Sequence, residues 1–148
     1  MSKSNAWETA LLALLFQNAN AAGIGDATGL RGSSAAGFLF VSLHTADPGE
    51  AGGQGTSEVA YAGYARVAVA RSPAGWVVTG NSVSPAAEVA FAQAPAGTTA
   101  QTVTHFGIGT AAAGAGTLLY KGALDAPGIA VAANVTPILS TTSAVTED

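Results

Sequence analysis

Apolar positions along the chain change their spacing once, near residue 37. Before that point Trp7, Leu11, Leu14 and Leu15 recur at i, i+4, i+7 and i+8, the period of an amphipathic helix. Asn5, followed three residues later by Glu8, has the form of an N-cap with its reciprocal partner. The pattern predicts a helix over residues 6–18. Leu12 and Phe16 widen its apolar stripe beyond one face, so the expected helix has two sides to bury, one on its own sheet and one on another chain. Residues 23–37 carry Gly23, Gly25, Gly29, Gly32 and Gly37 among Asp26, Thr28, Ser33 and Ser34. That composition sustains neither helix nor strand and predicts a long exposed loop.

After the loop the period becomes two. Phe38, Phe40, Ser42 and His44 alternate with Leu39, Val41, Leu43 and Thr45, which describes a buried strand. Further strands are expected over residues 58–71, 75–84, 88–92, 102–110, 117–124, 129–135 and 138–145. Ser72-Pro73-Ala74-Gly75 and Ala94-Pro95-Ala96-Gly97 suit type I turns, and Pro127-Gly128 suits type II. Eight strands without intervening helices predict an all-β fold, an antiparallel β-sandwich with a short N-terminal α-helix. A jelly roll fits that strand number better than a seven-stranded immunoglobulin-like sandwich. The expected organisation is a single domain over residues 1–148, with residues 1–22 forming a helix or arm and residues 37–148 the sandwich. Its core should contain Phe40, Val67, Val69, Trp76, Val89, Phe91, Phe106, Leu118 and Tyr120. Residues 46–57 should form a second exposed loop, with Asp47-Pro48-Gly49 as a turn.

Composition adds a reason to expect partners. Of the 148 residues, 49% are hydrophobic and only 9% charged, against about 25% charged in an ordinary domain. So few charges suggest a surface partly covered by other subunits. The net charge is −4 with five basic residues, and Arg31, Arg66, Arg71 and Lys121 are scattered, which argues against binding nucleic acid. There is no cysteine, so thiolate chemistry and disulfides are excluded. Lys3, the run from Ala10 to Phe16 and Ala19-Asn20-Ala21 have the outline of a secretion signal. Glu8 abuts the run and the run is short, so a helix of the domain is expected instead. No stretch reaches the roughly 20 apolar residues of a membrane span.

Candidate chemistry is sparse. His44 and His105 both fall in expected strands, where a hydrogen-bonded core or interface histidine is the expectation rather than a base or metal ligand. Asp26, Asp47, Glu50, Glu58, Glu88 and Asp125 sit mostly in loops or at strand ends, as solvated carboxylates do. Gly107-Ile108-Gly109 leads into another strand and not a helix, so it offers no pyrophosphate site. No G-x-S-x-G elbow occurs. The expectation is a structural protein with no catalytic residue, cofactor or metal.

Four blocks carry a family resemblance: Leu43 to Gly52 (LHTADPGEAG), Glu58-Val59-Ala60-Tyr61 with Gly63-Tyr64-Ala65-Arg66-Val67, Asn81 to Pro85 (NSVSP), and Thr104 to Ala111 (THFGIGTA). They resemble small virion proteins of tailed bacteriophages, in particular capsid cement, or decoration, proteins of short-tailed phages. The resemblance implies a jelly-roll subunit made in the bacterial cytoplasm. It would bind as a homodimer to the outer capsid surface and tie neighbouring copies of the major capsid protein together, with no role for nucleic acid or membrane. A tail or tail-fibre component with a receptor-binding sandwich is the competing expectation. Candidate partner-interface residues are Trp7, Leu11, Leu14 and Leu15 on the helix, and Asp47, Pro48 and Gly49 in the second loop.

Overall fold

The computed structural model describes residues 2–147. Helix α1 spans Asn5–Gln17. Eleven short strands follow among the described residues: β1 (Phe38–His44), β2 (Val67–Ala70), β3 (Trp76–Thr79), β4 (Ser82–Pro85), β5 (Val89–Ala90) and β6 (Gln101–Val103) in the first part. The remainder are β7 (His105–Gly109), β8 (Leu118–Ala123), β9 (Ile129–Val131), β10 (Ile138–Leu139) and β11 (Val145–Thr146). They form four sheets with orders β2-β1-β7-β8, β11-β4-β3, β6-β9 and β10-β5. The all-β antiparallel class with a short N-terminal helix is as the sequence implied. The sheets are sandwich-like, as expected, and their strands are divided four, three, two and two.

The chain divides into two compact units, the first made of residues up to Phe38, Val69–Ala87 and the stretch from Ser140 onward. In it, α1 packs on β3 and β4. Leu12 and Phe16 are fully buried, and the Phe16 ring meets Trp76 edge-on at 4.8 Å. The stripe that reaches the core is therefore Glu8, Leu12 and Phe16. Trp7, Leu11, Leu14 and Leu15 are half-buried. From Trp7 to Gln17 no helix residue is fully exposed. The N-cap is Ser4 and not Asn5: its backbone is extended, and its Oγ accepts the Trp7 N–H at 3.4 Å.

The far end of α1 is closed by Arg71. Its guanidinium donates to the carbonyls of Leu15 (2.6 Å) and Leu14 (2.9 Å), and also to Ser33 Oγ and the Ala36 carbonyl. A cation here satisfies orphan carbonyls and complements the helix dipole. Asn18, left-handed at φ 56°, receives the Ser33 N–H on Oδ1 and returns a bond from Nδ2 to the Ser33 carbonyl. The glycine-rich loop is exposed, as expected, but is not without order. Ala21 and Leu30 exchange both backbone hydrogen bonds, and Asp26 Oδ1 accepts the N–H groups of Thr28 and Gly29.

The second unit comprises Leu39–Ala68 and Glu88–Leu139. Strands β1 and β7 pair from Phe40↔Gly109 to His44↔His105. Its core is Leu39, Val41, Leu43, Val59, Val89, Phe91, Ala94, Val103, Phe106, Ile108, Val131 and Leu139. Of the nine expected core residues, Trp76, Val89, Phe91 and Phe106 are buried, whereas Phe40, Val67, Val69, Leu118 and Tyr120 are half-buried. Four of those five lie on β2 and β8, the edge strands of the four-stranded sheet, which have a neighbour on one side only.

Several expected strands are interrupted where the backbone must turn. Residues 75–84 form two strands around Gly80, whose φ is 59°. Residues 102–110 divide at Thr104, so β6 pairs with β9 while β7 pairs with β1. The Ser72–Gly75 turn forms with the expected alignment, the Gly75 N–H reaching the Ser72 carbonyl at 2.9 Å. The next turn is shifted by one residue to Pro95–Thr98, placing Gly97 at the third position with φ 85°, a type II arrangement instead of type I. At Asp125–Gly128 the closing bond runs from the Gly128 N–H to the Asp125 carbonyl. Pro127 therefore stands third in the turn and not second, and the Ala126–Pro127 peptide is cis.

Candidate functional site

Three of the four resemblance blocks fall in the second unit, where they build and fasten the loop after β1. The loop leaves from His44, a fully buried residue. Its Nδ1 lies 2.8 Å from the Thr56 carbonyl and its Nε2 lies 2.9 Å from Ser42 Oγ. A carbonyl only accepts, so Nδ1 carries the proton and the neutral ring accepts the Ser42 hydroxyl on Nε2. Burial pushes the His44 pKa below its ordinary value, outweighing the bond to Thr56 and the nearby Glu58 carboxylate. The ring lies against Gly107, where a Cβ would come within 2.6 Å of Nε2. Ser42 and His44 resemble part of a catalytic dyad, yet both are fully buried, so no substrate reaches the hydroxyl in this conformation.

Gln54 is the second fastener and is also fully buried. Its amide donates to the Phe40 carbonyl at 2.8 Å and accepts the Ala111 N–H at 3.2 Å, while its backbone N–H reaches the Gly116 carbonyl. Gly109 and Gly116 leave room for it, since a Cβ on either would come within 3 Å of the amide.

Glu58 and Arg66 form the third. The pair is bidentate, with Nε–Oε1 at 2.7 Å and Nη2–Oε2 at 2.8 Å, and the Arg66 side chain is only 2% exposed. Arg66 also donates to the carbonyls of Ala111 and Gly114, holding the β7–β8 connection. Tyr64 donates to Glu58 and accepts the Leu43 N–H, and its ring stacks on Phe91. Burial raises the Tyr64 pKa, so the phenol stays protonated. Glu58 thus departs from the solvated carboxylate that its position suggested.

At the loop's outer end, Lys121 of β8 bridges Asp47 at 3.0 Å and Glu50 at 3.3 Å. Asp47 Oδ1 also accepts the Gly49 N–H, confirming a turn at Asp47-Pro48-Gly49. That backbone bond, with Lys121, lowers the Asp47 pKa. Pro48 is buried, so residues 46–57 are not uniformly exposed. The loop presents Asp47 and Glu50 to solvent, while Pro48, Gln54 and the Thr56 carbonyl hold it from within. Of the expected interface residues, Trp7, Leu11, Leu14 and Leu15 belong to the first unit and Asp47, Pro48 and Gly49 to the second. Among the described residues no group of three or more His, Asp or Glu side chains is placed to hold a metal ion. No described helix is long and apolar enough to cross a membrane.

The family model for podophage GP4 fiber I protein gp80 matches residues 2–146. The chain belongs to the podophage GP4 fiber I protein gp80 family. Membership makes it a phage structural protein of a fibre-related family. That agrees with the resemblance to tailed-phage virion proteins at the level of the phage structural class. The family description names a fibre protein and not a capsid cement. No curated protein matches the chain.

Proposed function

We propose that the chain is a non-catalytic structural subunit of a phage tail-fibre assembly, acting through protein contacts and without a cofactor. The family match over residues 2–146 carries this reading. The architecture supports it: loop 45–57 is fixed by buried hydrogen bonds and an ion pair rather than left free to order on binding, so its exposed face is preorganised for contact. The low charge content fits a subunit whose surface is shared with neighbours. The second reading is a capsid cement that joins copies of the major capsid protein, favoured by the four sequence blocks. Immunogold labelling of intact virions separates the two. Gold confined to the tail supports the fibre reading, and gold spread over the head overturns it in favour of the cement.

A further inference from the structure

A cleft of about 280 Å³ in the second unit lies apart from the fastened loop, between residues 60–62 and 95–101. Its volume is near the lower limit for small-molecule sites, about 300 Å³, which suits one ring-sized ligand. Tyr61, Pro95, Thr98, Thr99 and Gln101 line it together with alanine and glycine, and no charged side chain does.

The lining groups are held in place. The Tyr61 hydroxyl donates to the Ala92 carbonyl at 2.7 Å, and its ring meets Tyr64 edge-on at 5.4 Å. The Gln101 amide N–H spans the cleft to the Ala60 carbonyl at 2.9 Å. The opposite wall is the Pro95–Thr98 turn, whose Thr98 hydroxyl donates to the Pro95 carbonyl at 2.8 Å. Gly97 at φ 85° permits that turn. These bonds spend one donor each and leave hydrogen-bonding capacity toward a ligand. The Tyr61 and Thr98 oxygens can still accept, and among the described residues the Gln101 side-chain carbonyl, its second amide N–H and the Thr99 hydroxyl have no hydrogen-bond partner.

We propose that this cleft binds a neutral saccharide unit. Sugar hydroxyls both donate and accept, matching a wall of hydroxyl and amide groups, and the C–H face of a pyranose packs on an aromatic ring. A phosphate, sulfate or carboxylate ligand would require the Arg or Lys that the lining lacks. A proline-rich peptide would require an aromatic-lined groove, whereas one tyrosine lines this cleft. The inference rests on the cleft alone and applies to the purified chain whichever part of the virion holds it.

Saturation-transfer difference NMR on the full chain, with glucose, galactose, rhamnose and N-acetylglucosamine each at about 10 mM, tests it. N-acetylneuraminic acid serves as the anionic control and a polyproline peptide as the competing ligand. At least one neutral sugar should receive saturation, with Kd in the millimolar range. Tyr61→Ala should weaken that binding about tenfold, and Thr99→Val, an exposed change that leaves the fold intact, should weaken it several-fold. Absence of transfer to every neutral sugar overturns the proposal. So does transfer unaltered in Thr99→Val and Tyr61→Ala, or binding of the peptide or the anion instead.

Discussion

Replacing Arg66 with Met keeps the volume of the buried stem and removes the charge. The guanidinium makes four bonds of 2.7–2.9 Å, two to Glu58 and one each to the Ala111 and Gly114 carbonyls. Losing it leaves a carboxylate that is only 18% exposed with the Tyr64 hydroxyl as its one hydrogen-bonding partner among the described residues, and it removes the donor from two carbonyls. Breaking a buried pair from one side costs about 3–5 kcal/mol, which lowers Tm by about 10–15 °C in a chain of this length. Most of that cost is the stranded charge, so Glu58→Leu added to Arg66→Met should restore about half of it. Urea unfolding of the single and double variants measures both quantities, and amide exchange over residues 111–116 reports the released connection. If Arg66→Met costs less than about 1 kcal/mol, or if the double variant is no more stable than the single, the clamp reasoning is wrong.

Three further outcomes are expected. Phe16→Ala should cost about 3–5 kcal/mol in thermal or urea unfolding because it empties the space against Trp76, whereas Leu11→Ala, half-buried, should cost well under half as much. Gly107→Ala should destabilise by about 1–3 kcal/mol, since its Cβ would collide with His44, Ser42 and Leu118; a crystal structure would show the His44 ring displaced. His44 has a lowered pKa in the fold, so the unfolded chain takes up the proton first. Its stabilising contribution is complete above the unfolded pKa of about 6.5 and is lost as pH falls below it. Stability measured from about pH 7 to 5 should decline, and His44→Gln should flatten that decline.

The sequence showed the class of the fold because period-two alternation from Phe38 to His44 and the glycine-proline turns are local signals. Ser72–Gly75 closes as its residues suggest. Pro95–Thr98 does not, because the register of a turn depends on which carbonyl the following strand can reach. The helix was legible but its buried face was not: Trp7, Leu11, Leu14 and Leu15 and the Leu12–Phe16 pair are equally apolar, and only the packing of α1 on β3 and β4, where Phe16 meets Trp76, selects the second set. Among the fastening residues, His44 was recognisable as a buried histidine from its place in a strand. Gln54, Glu58, Arg66 and Arg71 were not recognisable in these roles. Their partners are mostly backbone carbonyls far away in sequence, such as Phe40, Ala111, Gly114 and Leu15, and no side-chain pattern marks a carbonyl as needing a donor.

The fibre assignment is tested most directly by stoichiometry. Quantitative mass spectrometry of purified virions gives the number of copies of this chain relative to the major capsid protein. A fibre subunit should be present in a few to a few dozen copies per particle and should leave with the tail when heads and tails are separated. Hundreds of copies retained on tail-free heads would contradict the account and make the chain a capsid cement.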